Sequence, residues 1–272
     1  MPWEGREKTV SDLNYRIEGS DLQFVELTLA PGEAAVGEPG AMMFADEGVV
    51  IESHMGDGDD AGLGSRVASG FKRTFTGENF FTSVFKNTGT RNMRVSFAAP
   101  SPGKIIAVDL AQMGGELICQ KGAFLGGTKG VRVGLAFKKR LRAGMFGGEG
   151  FIMQRLTGNG TVFIHASGTL EKLELRAGET LKVDTGCLAA LQKTVNYDVK
   201  YVGSLKTSVL GGEGLFLASV KGPGTVWLQS LPIQRLRAVI TGMPQSRGGA
   251  GRLLYFAFVI FMIIFVLARA PS

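Results

Sequence analysis

Short runs of alternating apolar and polar residues, separated by glycine-containing turns, extend along the chain from about residue 22 to about residue 232. A period of two indicates a β-strand with one buried face, and Gly or Asn between such runs indicates a turn. Helical periods before the C-terminal segment are confined to residues 63–75 and 133–142. The pattern therefore predicts an all-β body.

One patterned element occurs three times, and each copy begins with Gly-Glu. The second and third copies are 64 residues apart, and both contain a Gly-X-Gly turn followed by Thr, Val and an aromatic residue. Alternating strands joined by such turns are typical of β-hairpins. We therefore expect a hairpin in each copy. The copies open at Gly77-Glu78, Gly148-Glu149 and Gly212-Glu213.

A second element precedes each of these copies and contains a strand, a Gly-Glu turn, another strand and a small apolar step. The steps are Gly-Ala-Met-Met at 40–43, Gly-Ala-Phe-Leu at 122–125 and Gly-Cys-Leu-Ala-Ala at 186–190. Repeats of this kind bury their apolar faces against one another. The sequence thus predicts three pseudo-symmetric units, about 22–100, 101–168 and 169–232, forming one sandwich or barrel-like domain over residues 1–243.

The C-terminal segment 253–268, LLYFAFVIFMIIFVLA, contains sixteen residues without a charge. A helix of this length rises about 24 Å, against roughly 30 Å of hydrocarbon, so Arg252 and Arg269 would snorkel to the headgroups. It is apolar on every face, whereas a helix packed on a soluble body has a polar stripe. We expect a transmembrane anchor joined by the linker 244–252; a buried helix or an oligomer contact is the alternative. Its anchoring side chains are Leu253, Phe256, Phe258, Ile260, Phe261, Ile264, Phe265 and Leu267.

Basic residues are more numerous before this segment than after it. Arg235, Arg237, Arg247 and Arg252 precede it, and Arg269 follows. The positive-inside rule then places the main domain on the cytoplasmic side of the inner membrane. Two cysteines, Cys119 and Cys187, give no disulfide framework, which agrees with a reducing compartment.

The charge is unevenly distributed along the chain. Residues 1–60 contain 14 acidic and 3 basic residues, whereas residues 61–272 contain 10 acidic and 27 basic residues. A basic part can indicate an anionic partner, and beside an anchor the nearest one is anionic lipid. The alternative is that the two parts neutralise one another within the fold or between subunits. The candidate surface for an anionic partner is Lys72, Arg73, Lys138, Lys139, Arg140 and Arg142.

The chain offers little catalytic chemistry. His54 and His165 show no zinc-ligand spacing with the two cysteines, and the acidic stretch 57–60 lacks the spacing of a calcium loop. No nucleophile elbow or phosphate-binding loop occurs. The glutamates Glu78, Glu149 and Glu213 are interpreted as turn carboxylates that accept hydrogen bonds from backbone amides. We therefore predict no catalytic residue, metal or cofactor, and a protein that is not an enzyme.

The three Gly-Glu elements, the three apolar steps and the Gly-rich stretch before Phe71-Lys72-Arg73 together resemble a family of mostly uncharacterised bacterial and archaeal proteins. It takes its name from a fungal mitochondrial-biogenesis (altered inheritance of mitochondria) protein, and the similarity covers residues 12–232. The resemblance implies a β fold similar to the tryptophan RNA-binding attenuation protein. Fungal members are linked to inner-membrane organisation, and no catalytic residues can be carried over. The C-terminal segment departs from the soluble members.

These observations predict a non-enzymatic, tail-anchored scaffold or organising protein at a membrane. Its expected partners are anionic lipid headgroups, further copies of itself and an unidentified membrane protein. The alternative is an RNA- or small-ligand-binding module that uses the basic surface of residues 61–272, although nucleic acid is the less favoured partner.

Overall fold

The computed structural model describes residues 8–10, 13–55, 81–139, 150–202, 215–233, 235–236 and 240. Twenty strands lie within these ranges, and the expectation of an all-β body is confirmed. No helix among the described residues is long and apolar enough to cross a bilayer. The linker 244–252 and the span 253–268 lie outside the described residues.

Two leading strands, β1 (Lys8–Val10) and β2 (Leu13–Glu18), precede three units of six strands. Unit 1 contains β3 (Phe24–Leu29), β4 (Ala34–Gly37), β5 (Met42–Ala45), β6 (Val49–Met55), β7 (Phe81–Asn87) and β8 (Met93–Ala98). Unit 2 contains β9 (Gly103–Asp109), β10 (Glu116–Gln120), β11 (Phe124–Thr128), β12 (Arg132–Lys139), β13 (Phe151–Thr157) and β14 (Thr161–Ser167). Unit 3 contains β15 (Leu170–Leu175), β16 (Thr180–Asp184), β17 (Leu188–Gln192), β18 (Asn196–Val202), β19 (Leu215–Lys221) and β20 (Gly224–Gln229).

Strand pairing within the units follows one pattern. In each unit the sixth strand lies between the first and third, and the fifth lies between the second and fourth, all antiparallel. The third strand has a register shift at the same place each time, at Met42/Phe44, Phe124/Gly126 and Leu188/Ala190. Each unit is thus two three-stranded layers with one shared irregularity, which makes residues at equal positions comparable.

Neighbouring units are joined by one further pairing. The second strand of a unit pairs with the third strand of the next, as β4 with β11 and β10 with β17. These pairings produce two six-stranded sheets, β6-β7-β4-β11-β14-β9 and β12-β13-β10-β17-β20-β15. The corresponding strands of units 3 and 1, β16 and β5, both lie wholly within the described ranges and are sheet edges there.

The hairpins predicted from the Gly-Glu elements are wrong. The fifth and sixth strands of each unit lie in different layers; β13 pairs with β10 and β12, whereas β14 pairs with β9 and β11. Alternation identifies a strand but not its partner, and the turn at Gly158, with φ of 142°, takes the chain across to the other layer. The helical period at 133–142 is also wrong for residues 133–139, which belong to strand β12.

The buried side chains form three clusters. One joins units 1 and 2 around Phe85, Phe97 and Phe163. A central cluster lies mainly in unit 2 and reaches Val36 of unit 1 and Trp227 of unit 3. The third joins units 2 and 3. The peripheral clusters therefore follow the two joined junctions.

The junction between units 1 and 2 has a glycine on each of its two strands. Gly37 and Gly126 face one another across β4 and β11, and the ring of Phe97 lies against both. A Cβ at Gly37 would be 2.2 Å from Phe97 Cε1, far inside van der Waals contact. The same pair between units 2 and 3 is Cys119 and Ala190, so both joined junctions carry small residues at this position.

Candidate functional site

The turns between the second and third strands of the three units meet at one end of the body. We call this end, formed by residues 38–41, 121–123 and 185–187, the turn end. Gln229 Nε2 donates to Gln120 Oε1 at 3.0 Å and to the carbonyl of Gly186 at 2.8 Å, which links the turns of units 2 and 3. The backbone N–H of Glu38 donates to the carbonyl of Leu125 at 3.0 Å, so the turns of units 1 and 2 are also neighbours.

The connections between fourth and fifth strands start at this same end. The last residues of the second strands lie opposite the first part of the fifth strands: Gly37 opposite Ser83, Gln120 opposite Met153, and Asp184 opposite Leu217. Strands β6, β12 and β18 therefore end, and strands β7, β13 and β19 begin, beside the turn end. The predicted residues Lys72, Arg73, Arg140, Arg142, Glu78, Glu149 and Glu213 belong to these connections and lie outside the described residues.

Two predicted basic residues, Lys138 and Lys139, are described and end β12 at the turn end. Both are half-buried, and they lie opposite Ile152 and Phe151 of β13. The Lys139 amine donates to the carbonyl of Val199 on β18. Lys139 thus bridges the fourth strands of units 2 and 3, a structural contact that its place in a run of basic residues did not reveal.

The C-terminal part of the described chain also leaves from the turn end. After β20, Leu231 N–H donates to the carbonyl of Ser167 at 3.1 Å. A Cβ at Gly186 would lie 3.0 Å from Pro232 Cβ, and Arg235 Nη2 lies 3.0 Å from Asp184 Oδ2. These contacts hold residues 231–232 and Arg235 against Ser167, Asp184 and the 185–187 turn.

The pKa values of three groups at or beside the turn end are raised, which favours their neutral forms. Burial raises the pKa of the Glu38 carboxyl, and Lys121 partly opposes the shift. Burial, together with the charge of Glu38, raises the pKa of the Cys119 thiol to about 12. Burial also raises the pKa of Cys187. Both thiols are therefore held protonated, whereas a nucleophilic cysteine needs its thiolate.

His165 is a core residue at the position that Gln229 occupies in unit 3. It is 3% exposed, and burial lowers its pKa, so the ring is neutral. Its Nε2 is buried and has no hydrogen-bond partner among the described residues. Gln229 Oε1, by contrast, accepts from the backbone N–H of Ser167. Sequence reasoning missed Gln120 and Gln229; polar residues inside strands whose neighbours are apolar were the available signal.

The residues that the structure describes do not place three or more His, Cys, Asp or Glu together in a way that could hold a metal ion. The side chain of His54, near the end of β6, lies outside the described residues. Neither predicted histidine is thus joined to the cysteines by the described geometry.

A groove of about 750 Å³ lies at the opposite end of units 1 and 2, between turns that contain Glu33, Thr128 and Gly160. The exposed Lys129 and Arg132 also line it. Glu33 Oε2 accepts from Ala30 N at 2.7 Å, and Glu179 Oε2 accepts from Arg176 N at 2.9 Å in unit 3. The turn-carboxylate role predicted for Glu78, Glu149 and Glu213 is thus observed in these other repeat glutamates.

Comparison with known proteins gives a family and a fold. The sequence profile of the family described as "Mitochondrial biogenesis AIM24" matches residues 15–231. The crystal structure of a protein from Streptococcus pyogenes is similar, with a TM-score of 0.65 and 20% identity over 85% of this chain and 100% of the other. At that identity the likeness concerns the fold alone. None of the curated proteins matches the sequence.

Proposed function

The chain belongs to the mitochondrial biogenesis AIM24 family, and from that premise we propose that it is a non-enzymatic, tail-anchored scaffold protein at the cytoplasmic face of the inner membrane. The body is inferred to be a pseudo-threefold β-sandwich, residues 1–243, that assembles as a homo-oligomer. The supporting observation is that the described chain ends at the turn end both before the apolar segment and before the connections that carry Lys72, Arg73, Arg140 and Arg142.

This arrangement orients the body. Twelve residues, 241–252, separate the described chain from the apolar segment. If flexible, they would span roughly 20 Å. The turn end would then lie near the headgroups, where each Lys or Arg close to an anionic surface contributes about 1 kcal/mol. Lys72, Arg73, Arg140 and Arg142 are thus inferred to face anionic lipid.

Deletion of residues 250–272 tests the anchor. The full chain should sediment with membranes and resist high salt, whereas the truncated chain should appear in the soluble fraction. A truncated chain that still sediments with membranes would contradict the anchor.

A charge variant with a matched control tests the orientation. Lys72, Arg73, Arg140 and Arg142 are changed to Gln in one variant; Lys86, Arg91, Lys129 and Arg132, exposed at the opposite end, are changed in the control. A fluorophore at Lys121→Cys, in a Cys187→Ser background, reports quenching by headgroup-labelled lipid in vesicles containing phosphatidylserine. Quenching should fall in the first variant and persist in the control. Equal quenching in both would contradict the orientation.

A second candidate function is binding of RNA or a small anionic ligand by the basic part of the chain. The observation in its favour is the groove lined by Lys129 and Arg132, in which the buried Thr128 hydroxyl has no partner among the described residues. Salt-dependent RNA binding that is lost when Lys138, Lys139 and Arg140 are changed to Ala would support the RNA alternative. Binding lost instead on changing Lys129 and Arg132 would assign it to the groove.

A further inference from the structure

Three units have three possible junctions, and the junction between units 3 and 1 is the one that lacks a strand pairing among the described residues. At the other two junctions the second strand of one unit pairs with the third strand of the next. Here the second strand is β16 and the third strand is β5, and each is the last strand of its sheet. An edge strand presents a row of backbone donors and acceptors to a further strand.

The side chains of the third strand are also more exposed in unit 1 than in units 2 and 3. Met42 and Met43 of β5 are 39% and 54% exposed, whereas the equivalent Phe124 and Leu125 in unit 2 are each 1% exposed. In unit 3, Leu188 and Ala189 are equally buried. Among the three equivalent third-strand positions, these two apolar side chains are therefore exposed only in unit 1, where the neighbouring second strand is missing.

We propose that β5 of one copy of this chain pairs with β16 of a second copy, so that the open junction becomes an interface between copies. This inference deepens the proposed scaffold role, since it supplies the mode of self-assembly. The pairing would join β18-β19-β16 of one copy to β5-β8-β3 of the other. That composite sheet repeats the strand order seen twice within the chain.

The repeat geometry fixes the register of this pairing. Gly126 lies opposite Gly37 and Gly127 opposite Val36, while Ala190 lies opposite Cys119 and Leu191 opposite Ile118. By equivalence, Phe44 pairs with Val183 and Ala45 pairs with Lys182. A shift of one residue would turn every side chain to the wrong face, so this register is specific.

Both edge strands lie wholly within the described ranges and are sheet edges there, which favours a second copy over closure within one chain. The pair Phe44 and Val183 is the bulkiest of the three equivalent pairs, at the position where the junction between units 1 and 2 has two glycines. Lys182 occupies the position of the buried Val36 and Ile118 and is exposed. The open junction thus differs from the two joined junctions at both paired positions.

The net charges of the two units that carry these edges also differ. The described part of unit 1, which includes β5, contains 6 acidic and 3 basic residues, whereas the described part of unit 3 contains 5 acidic and 6 basic residues. In the inferred register Lys182 lies opposite Ala45, while the carboxylate of Asp46, which follows β5, is paired with Arg94 of its own chain. The two units that meet at the proposed interface are therefore opposite in net charge.

Disulfide crosslinking of the full chain in mild detergent tests the register. Chains carrying Ala45→Cys are mixed with chains carrying Lys182→Cys, both with Cys187→Ser, and oxidised. A covalent dimer is expected, because direct partners in a sheet bring their Cβ atoms to disulfide distance. Thr180→Cys, two residues away on β16, should give little dimer with Ala45→Cys. The native Cys119 is buried and protonated.

A double variant carrying both Ala45→Cys and Lys182→Cys distinguishes the alternative. A disulfide within one chain, without covalent dimer, would overturn the proposal in favour of intramolecular closure. Absence of both crosslinks would overturn it as well.

Self-association of the full chain is measured in parallel by its mass in detergent. Met43→Lys on β5 and Lys182→Glu on β16 should each reduce it at least tenfold, whereas Leu22→Lys, another exposed apolar site, should not. A mixture of the two weakened variants should form one-to-one dimers, since each retains one intact edge. A monomeric wild type would overturn the proposal, while membrane attachment, tested by the 250–272 deletion, could still hold.

Discussion

The joined junction between units 1 and 2 and the open junction between units 3 and 1 are built from corresponding strands with opposite results. Leu125 of unit 2 and Met43 of unit 1 occupy the same position after a Gly-Ala step, yet Leu125 is 1% exposed and Met43 is 54% exposed. Both side chains are large and apolar. The difference shows that burial at this position comes from the neighbouring second strand and not from the residue itself.

The largest expected effect separates these two positions. Leu125→Lys places an unpaired charge in the core between units 1 and 2 and should cost at least ~4 kcal/mol, a large part of a typical folding free energy. Met43→Lys should change the free energy of unfolding by about 0.5 kcal/mol or less. Urea unfolding of both full-length variants in detergent, at concentrations that keep the chain monomeric, measures the two effects. Similar losses would show that the junction at Met43 is closed within the chain.

A smaller loss of stability is expected from truncating the side chains that lie beneath the two junctions. Phe97 and Leu228 hold the same position on the sixth strands of units 1 and 3, opposite Met42 and Leu188. Phe97 is fully buried, so Phe97→Ala should destabilise by ~3–5 kcal/mol, partly through the cavity it leaves. Leu228 is half-buried, and Leu228→Ala should cost about 1–2 kcal/mol. An equal cost at both sites would mean that Leu228 is covered like Phe97.

Part of this architecture follows from local sequence and part does not. The all-β class follows from alternation, and the turns at Gly32 and Gly178 follow from glycines that take positive φ values of 80° and 83°. The pairing of β13 with β10 and β12 does not follow, because partner choice depends on contacts distant in sequence. The Gly-Asn-Gly turn at 158–160 carries a hairpin signal, yet it joins two layers.

The turn end was foreseen only in outline. A gathering of basic residues at one end was expected from rotation of the repeats, and the connections that carry them do start together there. The bridging contact of Lys139 with Val199 and the link through Gln229 depend on side chains from two units. No local pattern encodes such contacts.

Removal of the Gln229 side chain tests how firmly the turns of units 2 and 3 are linked. Gln229→Ala leaves the Gln120 side chain, the Gly186 carbonyl and the Ser167 amide without their partner. Unpaired buried groups make the expected loss about 2–3 kcal/mol. Gln112→Ala, an exposed glutamine bonded to Asp109, should cost about 0.5 kcal/mol or less. Thermal unfolding of the two variants checks the contrast, and a loss near zero for Gln229→Ala would mean that water replaces the network.

The smallest expected effect concerns Glu38. Among three equivalent turn positions, it is the one whose charged carboxylate is disfavoured by burial. Gln120 and Asp184 end the second strands of units 2 and 3, and Glu38, which directly follows β4, holds the equivalent position in unit 1. Burial raises the pKa of Glu38, whereas Asp184 pairs with Arg235. The unfolded chain then releases the Glu38 proton at a lower pH than the folded chain, so stability falls as pH rises from the ordinary glutamate pKa through the folded one. Glu38→Gln introduces the residue that unit 2 carries at this position. It should therefore stabilise the protein by roughly 0.5 kcal/mol at neutral pH and leave its stability unchanged in acid.

The expected change in stability for Glu174→Gln has the opposite sign, because the hydrogen bond from Thr225 lowers the pKa of Glu174. That substitution should destabilise at neutral pH, with the loss disappearing as pH falls. Urea unfolding of both variants across the acidic range measures the two slopes, and a neutral-pH loss for Glu38→Gln would show that the contact with Lys121 outweighs burial.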